Sequence, residues 1–351
     1  MQSVNKILII RFSSFGDIVL TSPLIRSLRA KYPDALIDFL VKSEFTELVK
    51  FNPNLSAVFE LKSSDIGELR KLKKKVRNER YDIILDLHNS LRSRYVRSYS
   101  GAKKVSVIDK RIIARFALVN FKWNLYNSVV SVPARYFETA RAFGVTDDGS
   151  GLEIFLPEDC ATMVGSVIGK YGIDQYKNVI GLAPASRHFT KRWPQEKFVE
   201  FGLHLCKTNS AKLLIFGGKE DADYCGDIAQ MINADLKQNA AVSFAGKFSL
   251  LETAAALDHC AVVVSNDTGI MHLAAARKRN VVAIFGSTVQ EFGFFPYGTE
   301  NIVLETEKLS CRPCSHIGRD RCPEGHFKCM KDIQVDNVLS AVLAMLQKPR
   351  N

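Results

Sequence analysis

What most constrains this chain is an alternation that starts near the N-terminus and then begins again halfway along. Short, continuous apolar runs rich in β-branched residues are separated by amphipathic stretches. In the first half Lys6–Phe12, Ala35–Val41, Ser56–Leu61 and Tyr81–His88 read as strands. Helical spacing covers Ile18–Lys31, stopped by Pro33, with a short helix at Phe45–Lys50 and a very basic one at Ile66–Arg80. The second half repeats the pattern with strands at Asn178–Ala183, Lys212–Phe216, Ala241–Phe244, Ala261–Ser265 and Val281–Phe285. Its helices are expected at Gln195–Lys207, Asp221–Ile232, Leu250–His259 and Ile270–Lys278. Strands apolar on both faces, divided by helices, belong to parallel sheets covered on both sides. The expected fold class is therefore α/β, with two Rossmann-like doubly wound domains.

A chain of 351 residues has room for two such domains. The expected division is an N-terminal domain over 1–160, a C-terminal domain over 161–330 and a terminal helix within 331–351 that packs back on the first domain. Leu156–Lys177, which holds Pro157 and Gly172, reads as the link. Hydrophobic residues make up 46% and charged residues 24%, which argues against wholesale disorder. No run approaches the roughly 18 apolar residues of a membrane span, and Met1–Lys6 lacks a signal-peptide core, so the expected location is cytoplasmic. The net charge of +11 is uneven: residues 1–160 carry +8 and residues 161–351 carry +3. Such a basic front half suits a polyanion (nucleic acid, phosphorylated lipid or an anionic membrane face) or simply a solubilising surface.

In open α/β sheets, ligands sit beyond the carboxyl ends of the strands, so chemistry is expected in the loops that follow them. The loop after the first strand carries Ser13, Ser14, Gly16 and Asp17. Gly16 suits a tight turn. Asp17, at a helix start, could cap free amides or serve as a carboxylate base beside the two hydroxyls. No GxGxxG dinucleotide fingerprint is present. The loop after Asn178–Ala183 packs Ser186, Arg187, Lys191 and Arg192 ahead of Trp193 and a helix opened by Pro194, a composition that suits a phosphate. After Ala261–Ser265 come Asn266, Asp267, Thr268, Gly269 and His272, where the first helical amides could meet an anion and Gly269 leaves the approach open. Glu220, in the turn after Lys212–Phe216, could accept hydrogen bonds from a ribose.

Four segments in order resemble one family: RFSSFGDIVLTSP, KRWP, SNDTGIMHLAAA and CRPCSHIGRDRCPEGHFKCM. They are similar to the ADP-heptose:lipopolysaccharide heptosyltransferases, glycosyltransferase family 9, and above all to its heptosyltransferase II subgroup. The likeness is weakest over Leu91–Pro157. The resemblance implies a GT-B fold whose two domains face each other across a cleft, with the ADP-sugar donor on the C-terminal domain and the acceptor on the N-terminal one. It implies an inverting transfer of heptose from ADP-heptose to lipopolysaccharide inner core, with no cofactor needed for catalysis. Asp17 would be the base, and Lys191 would meet the phosphates. Asp267, Thr268, Gly269 and His272 would form the donor motif, with Ser186 and Arg187 in the phosphate-contact stretch. Ser13, Ser14, Gly16, Arg92 and Arg94 are the acceptor-side candidates. Arg70–Arg80 and Arg97 would join Arg92 and Arg94 toward the glycolipid or the anionic inner-membrane surface, so that the enzyme lies peripherally at the cytoplasmic face. Nucleic acid finds no motif to support it as a partner. Two alternatives stay open: transfer with another nucleotide sugar or acceptor, and a catalytically silent protein that binds sugar nucleotides or glycolipid.

Of the eight cysteines, Cys311, Cys314, Cys322 and Cys329 cluster as C-x2-C-x7-C-x6-C. They could hold a structural zinc, remain reduced thiols or form a disulfide-prepared loop.

Overall fold

The computed structural model describes residues 4–348, which fall into two compact units. Unit 1 comprises 1–111 and 131–155; unit 2 comprises 112–130 and 156–351.

Unit 1 is built on five parallel strands: β1 (Lys6–Ile10), β2 (Leu36–Lys42), β3 (Ala57–Leu61), β4 (Ile83–Asp86) and β5 (Lys104–Val107). Their order is β3-β2-β1-β4-β5, so the winding reverses between β1 and β4. β1 is central, and its Ile7–Ile10 are fully buried. The basic helix runs from Ile66 to Glu79, with the Asp65 carboxylate accepting from Glu68 N–H at 2.9 Å. Leu69, Leu72 and Val76 form its buried stripe against Leu8, Ile10 and Ile84, while most of its lysines and arginines stay exposed. The helical stretch expected over Ile18–Lys31 is two helices, Phe15–Val19 and Ser22–Lys31. Pro23 explains the break, because it suits a helix start and cannot donate within a helix interior.

Unit 2 has six parallel strands: β6 (Asn178–Ala183), β7 (Ala211–Ile215), β8 (Ala241–Ser243), β9 (Val262–Asn266), β10 (Asn280–Phe285) and β11 (Asn301–Glu305). Read as β8-β7-β6-β9-β10-β11, their order reverses between β6 and β9. Trp193 is wholly buried; its indole N–H donates to Ile333 O at 3.1 Å, and Phe198 and Phe201 lie edge-on to it. The terminal helix Val335–Leu346 buries Val338, Val342 and Met345 in this same core. It therefore packs within unit 2 and not, as expected, on the first domain; its apolar face matches the helix Gln195–Asn209 and strands β9–β11.

Leu156–Lys177 is not a free link. Its helix Cys160–Gly169 packs against the helix Leu250–Leu257, because Cys160, Val164 and Ile168 recur at four-residue spacing and are buried together. Among the described residues, no helix is long and apolar enough to cross a membrane.

Candidate functional site: two strand-end clusters

Both clusters lie where the winding of a sheet reverses, the position at which α/β sheets leave a crevice at their carboxyl edge.

In unit 1 the loop after β1 leads into the helix Phe15–Val19. Asp17 is the third residue of this helix and reaches back, accepting from Ser14 N–H at 3.1 Å and Ser14 Oγ–H at 2.7 Å. On the other side Arg11 approaches to 2.6 Å, with the two side chains 11% and 14% exposed. Burial alone would push the Asp17 carboxyl up; the Arg11 guanidinium and the Ser14 donors outweigh it and hold the group below the usual carboxylate range. Arg11 is itself oriented by Leu87 O, at 2.6 Å from Nη1 in the loop after β4, and lies over the Tyr136 ring. Tyr136 O–H donates to the Asp17 backbone carbonyl at 3.3 Å. His88 packs against Phe12, and burial, reinforced by the positive Arg11, pushes its imidazole down to about 3. Its Nδ1 is buried with no partner among the described residues.

Gly16 does not make the expected turn: it sits buried inside the helical turn and is absent from the left-handed positions. The helix starting at Phe15 takes that residue in, so the chain needs no reversal there. Ser13 is half-buried and Ser14 exposed. Arg92 and Arg94 lie on the helix Leu91–Arg97 after β4, where Arg92 donates to Ser64 Oγ and Arg94 to Asn89 Oδ1. Arg97 pairs with the fully buried Asp86 at 2.8 Å, which makes it a structural partner of the β4 end.

In unit 2 the loops after β6 and β9 are tied together. Asn266 donates from Nδ2 to Pro184 O at 2.6 Å and accepts from Trp193 N–H at 3.2 Å. This brings Lys191 Nζ to 2.6 Å from Asp267 Oδ2, which also accepts from Thr288 Oγ1 at 2.7 Å. Asp267 thus serves Lys191 and does not cap the next helix. That helix, Gly269–Ala276, starts with Thr268 in extended conformation and no side-chain cap, which leaves its first amides for other acceptors. Thr268 and Gly269 are half-exposed, whereas His272 is 3% exposed within the helix. Arg187 and Glu220 are exposed, and Ser186 is buried with its carbonyl accepting from Arg192 Nε. Arg192 also approaches Asp221 at 3.6 Å and covers Tyr224, so it braces the loop.

Other contacts went unseen in the sequence. Thr190 N–H donates to Arg319 O at 3.0 Å, and Arg319 N–H returns to Thr190 Oγ1 at 2.8 Å, so the cysteine-rich loop grips the lysine loop. A Cβ at Gly286 would meet Thr190 O at 2.9 Å, which explains a glycine at the end of β10. The four clustered cysteines are free: Cys329 is buried in the unit 2 core with Cys322 packed against it, and Cys311 Sγ lies 3.9 Å from His326 Nε2. Burial pushes the Cys329 thiol up to about 12. Among the described residues, no group of three or more His, Cys, Asp or Glu side chains is arranged to hold a metal ion.

Two doubly wound parallel units, each with charged groups at its point of reversal, are domains of the kind that make up the GT-B fold. The family model for glycosyltransferase family 9 (heptosyltransferase) matches residues 69–323, and the chain belongs to that family. It is 27% identical to lipopolysaccharide heptosyltransferase 2 of Escherichia coli K12, over 97% of this chain and 98% of that one. It is 26% identical to lipooligosaccharide heptosyltransferase 2 of Campylobacter jejuni, over 95% of each. Among solved structures, a family 9 glycosyltransferase from Veillonella parvula superposes with a TM-score of 0.79 at 22% identity, covering 99% of this chain and 98% of that one. E. coli ADP-heptose LPS heptosyltransferase II superposes with a TM-score of 0.73 at 24% identity, covering 97% and 98%. The chain is therefore an enzyme of the heptosyltransferase family.

Proposed function

We propose that this enzyme moves heptose from ADP-heptose to the inner core of lipopolysaccharide, on a Kdo- or heptose-bearing lipid A acceptor, with inversion at the anomeric carbon. The observation that carries the reading is Lys191 beside Asp267, next to a helix start that no side chain caps. A lysine has three N–H donors; Asp267 takes one and fixes the ammonium, which leaves the others for a diphosphate. With Arg187 and the Thr268–Gly269 helix start, Lys191 would meet the negative charge that grows as ADP departs, as preorganised electrostatic stabilisation. Ser186, Asp267 and His272 shape this donor site, and Glu220 would reach the ribose.

On unit 1, Asp17 acts as the base. It takes the proton from the acceptor hydroxyl while that oxygen bonds to the anomeric carbon and the bond from that carbon to the phosphate oxygen breaks. General-base help of this kind contributes typically 10²–10⁴-fold. Arg11 and Ser14 keep the carboxylate ionised and aimed, at some cost in basicity. Ser13 and Ser14 would bond acceptor hydroxyls, and Arg92 and Arg94 its anionic groups. The exposed lysines and arginines of the helix Ile66–Glu79 would attract the anionic glycolipid or its membrane, with the protein peripheral at the cytoplasmic face.

The test is release of ADP from ADP-heptose. Release that depends on a Kdo-containing acceptor and yields heptosylated product is expected. ADP release unaffected by acceptor, or none at all with ADP-heptose, overturns the reading.

A further inference from the structure

The stretch 112–130 leaves unit 1 and belongs to unit 2 before the chain returns at Ser131. Only Ala117 and Leu118 of its helix Ile112–Phe121 are buried. Ile112, Ile113, Phe116, Phe121, Trp123 and Leu125 are exposed, Ile113 at 80% and Trp123 at 64%. The aromatic rings form a run: Phe116 meets Phe121 edge-on at 5.9 Å, and Phe121 lies 5.2 Å from Trp123. Exposed aliphatic and aromatic groups this dense are uncommon on a surface that faces only water. The stretch contains Arg115 and Lys122 and no Asp or Glu of its own. It is fastened at its far end: Lys122 Nζ donates to Pro313 O at 2.6 Å, and Asn124 Nδ2 to Glu291 at 3.0 Å.

We infer that residues 112–130 insert shallowly into the interface of an anionic phospholipid bilayer. Trp and Phe favour the headgroup boundary, and cations without carboxylates complement anionic lipid. The Arg115 stem can run along apolar surface while its charge reaches the headgroups, and Lys122 keeps its ammonium on the fastening carbonyl of Pro313. Pro313 lies in the cysteine-rich loop that also grips Thr190 through Arg319, so the inserted stretch is fastened to the structure that holds the lysine loop. The inference goes beyond the transfer reading, and its test needs neither donor nor acceptor.

The chain has two tryptophans. Trp193 is wholly buried, so quenching by brominated phospholipid reports Trp123. Full-length protein is mixed with phosphatidylglycerol/phosphatidylethanolamine vesicles free of lipopolysaccharide. Quenching and a blue shift are expected, with a component that survives high salt. Phe116→Ser with Phe121→Ser should weaken vesicle binding about tenfold or more while leaving turnover of a deacylated, water-soluble acceptor unchanged. No Trp123 quenching, or quenching that needs lipopolysaccharide in the vesicle, overturns the inference, the latter in favour of the acceptor's own acyl chains. A dimer dispersed by the same substitutions, with vesicle binding unchanged, overturns it in favour of a second copy of the chain.

Discussion

Replacing Asp17 with Asn separates the proposed base from its structural setting. The amide can still accept from Ser14, but Arg11 loses the partner at 2.6 Å. Breaking a buried ion pair from one side costs about 3–5 kcal/mol. Both groups here keep slight solvent access, and Arg11 retains Leu87 O and the Tyr136 face, so about 2–3 kcal/mol is the expected loss. At roughly 2–4 °C per kcal/mol, Tm should fall by about 4–12 °C. The rate should fall by about 10²–10⁴ in kcat, which is ~3–5 kcal/mol of transition-state stabilisation. Adding Arg11→Met removes the stranded charge, and replacing a whole buried pair by apolar groups is often neutral for stability. The double variant should therefore regain most of the Tm and none of the rate. The assay is acceptor-dependent ADP release beside thermal unfolding. A single variant within tenfold of the parent, or a double variant that recovers activity, refutes Asp17 as the base. The same reasoning fixes a pH dependence. Since the folded Asp17 titrates below its unfolded value, the pair's stabilisation is complete above the unfolded carboxylate range and fades as pH falls through the folded value. The acid limb of kcat/KM should accordingly lie below the ordinary carboxylate range; a limb at or above that range contradicts the assignment.

Other outcomes follow from unit 2 and from the basic helix. Lys191→Met should weaken ADP binding, measured by calorimetry, by at least about tenfold, roughly 1.4 kcal/mol; unchanged affinity removes Lys191 from the phosphate site. Trp193→Ala deletes a wholly buried indole and its bond to Ile333 O, at a cost of about 3–5 kcal/mol, and a Tm drop below about 3 °C would show that the site collapses to fill the space. Binding to lipopolysaccharide-bearing vesicles should weaken several-fold between about 50 and 200 mM salt, because the helix Ile66–Glu79 presents solvent-exposed charge; affinity independent of salt contradicts the electrostatic role.

The strands easiest to read were those buried on both faces. Asn178–Ala183 was expected with the bounds it has, and Lys6–Phe12 overshoots β1 only at its end. β5 escaped notice: KVSV at the sheet edge is partly exposed, so it carries no continuous apolar run. β11 is also an edge strand, with no residue fully buried. The apolar run Tyr81–His88 extends past β4 at both ends, and β4 stops at Asp86 because that carboxylate turns the chain by accepting from His88 and Asn89 N–H, a contact that hydrophobic periodicity does not encode. The helix Cys160–Gly169 lies inside the expected link, since three buried residues among small ones make a weak stripe until a partner helix is known.

By itself the sequence determined the class of sheet, the number of windings and the loops that hold ionisable groups, because these follow from burial period and from residues adjacent in the chain. It also placed Asp17 at a strand end and Lys191 with Asp267 in two separate loops. The order of the strands was decided only by tertiary packing, and order is what puts β1 beside β4 and β6 beside β9. That adjacency places Arg11 between Asp17 and Leu87, sets His88 against Phe12, and closes the Lys191–Asp267 pair. Tertiary structure likewise assigned 112–130 and the terminal helix to unit 2. Such contacts join residues far apart in the chain, and their energy depends on which faces meet, so no local pattern records them.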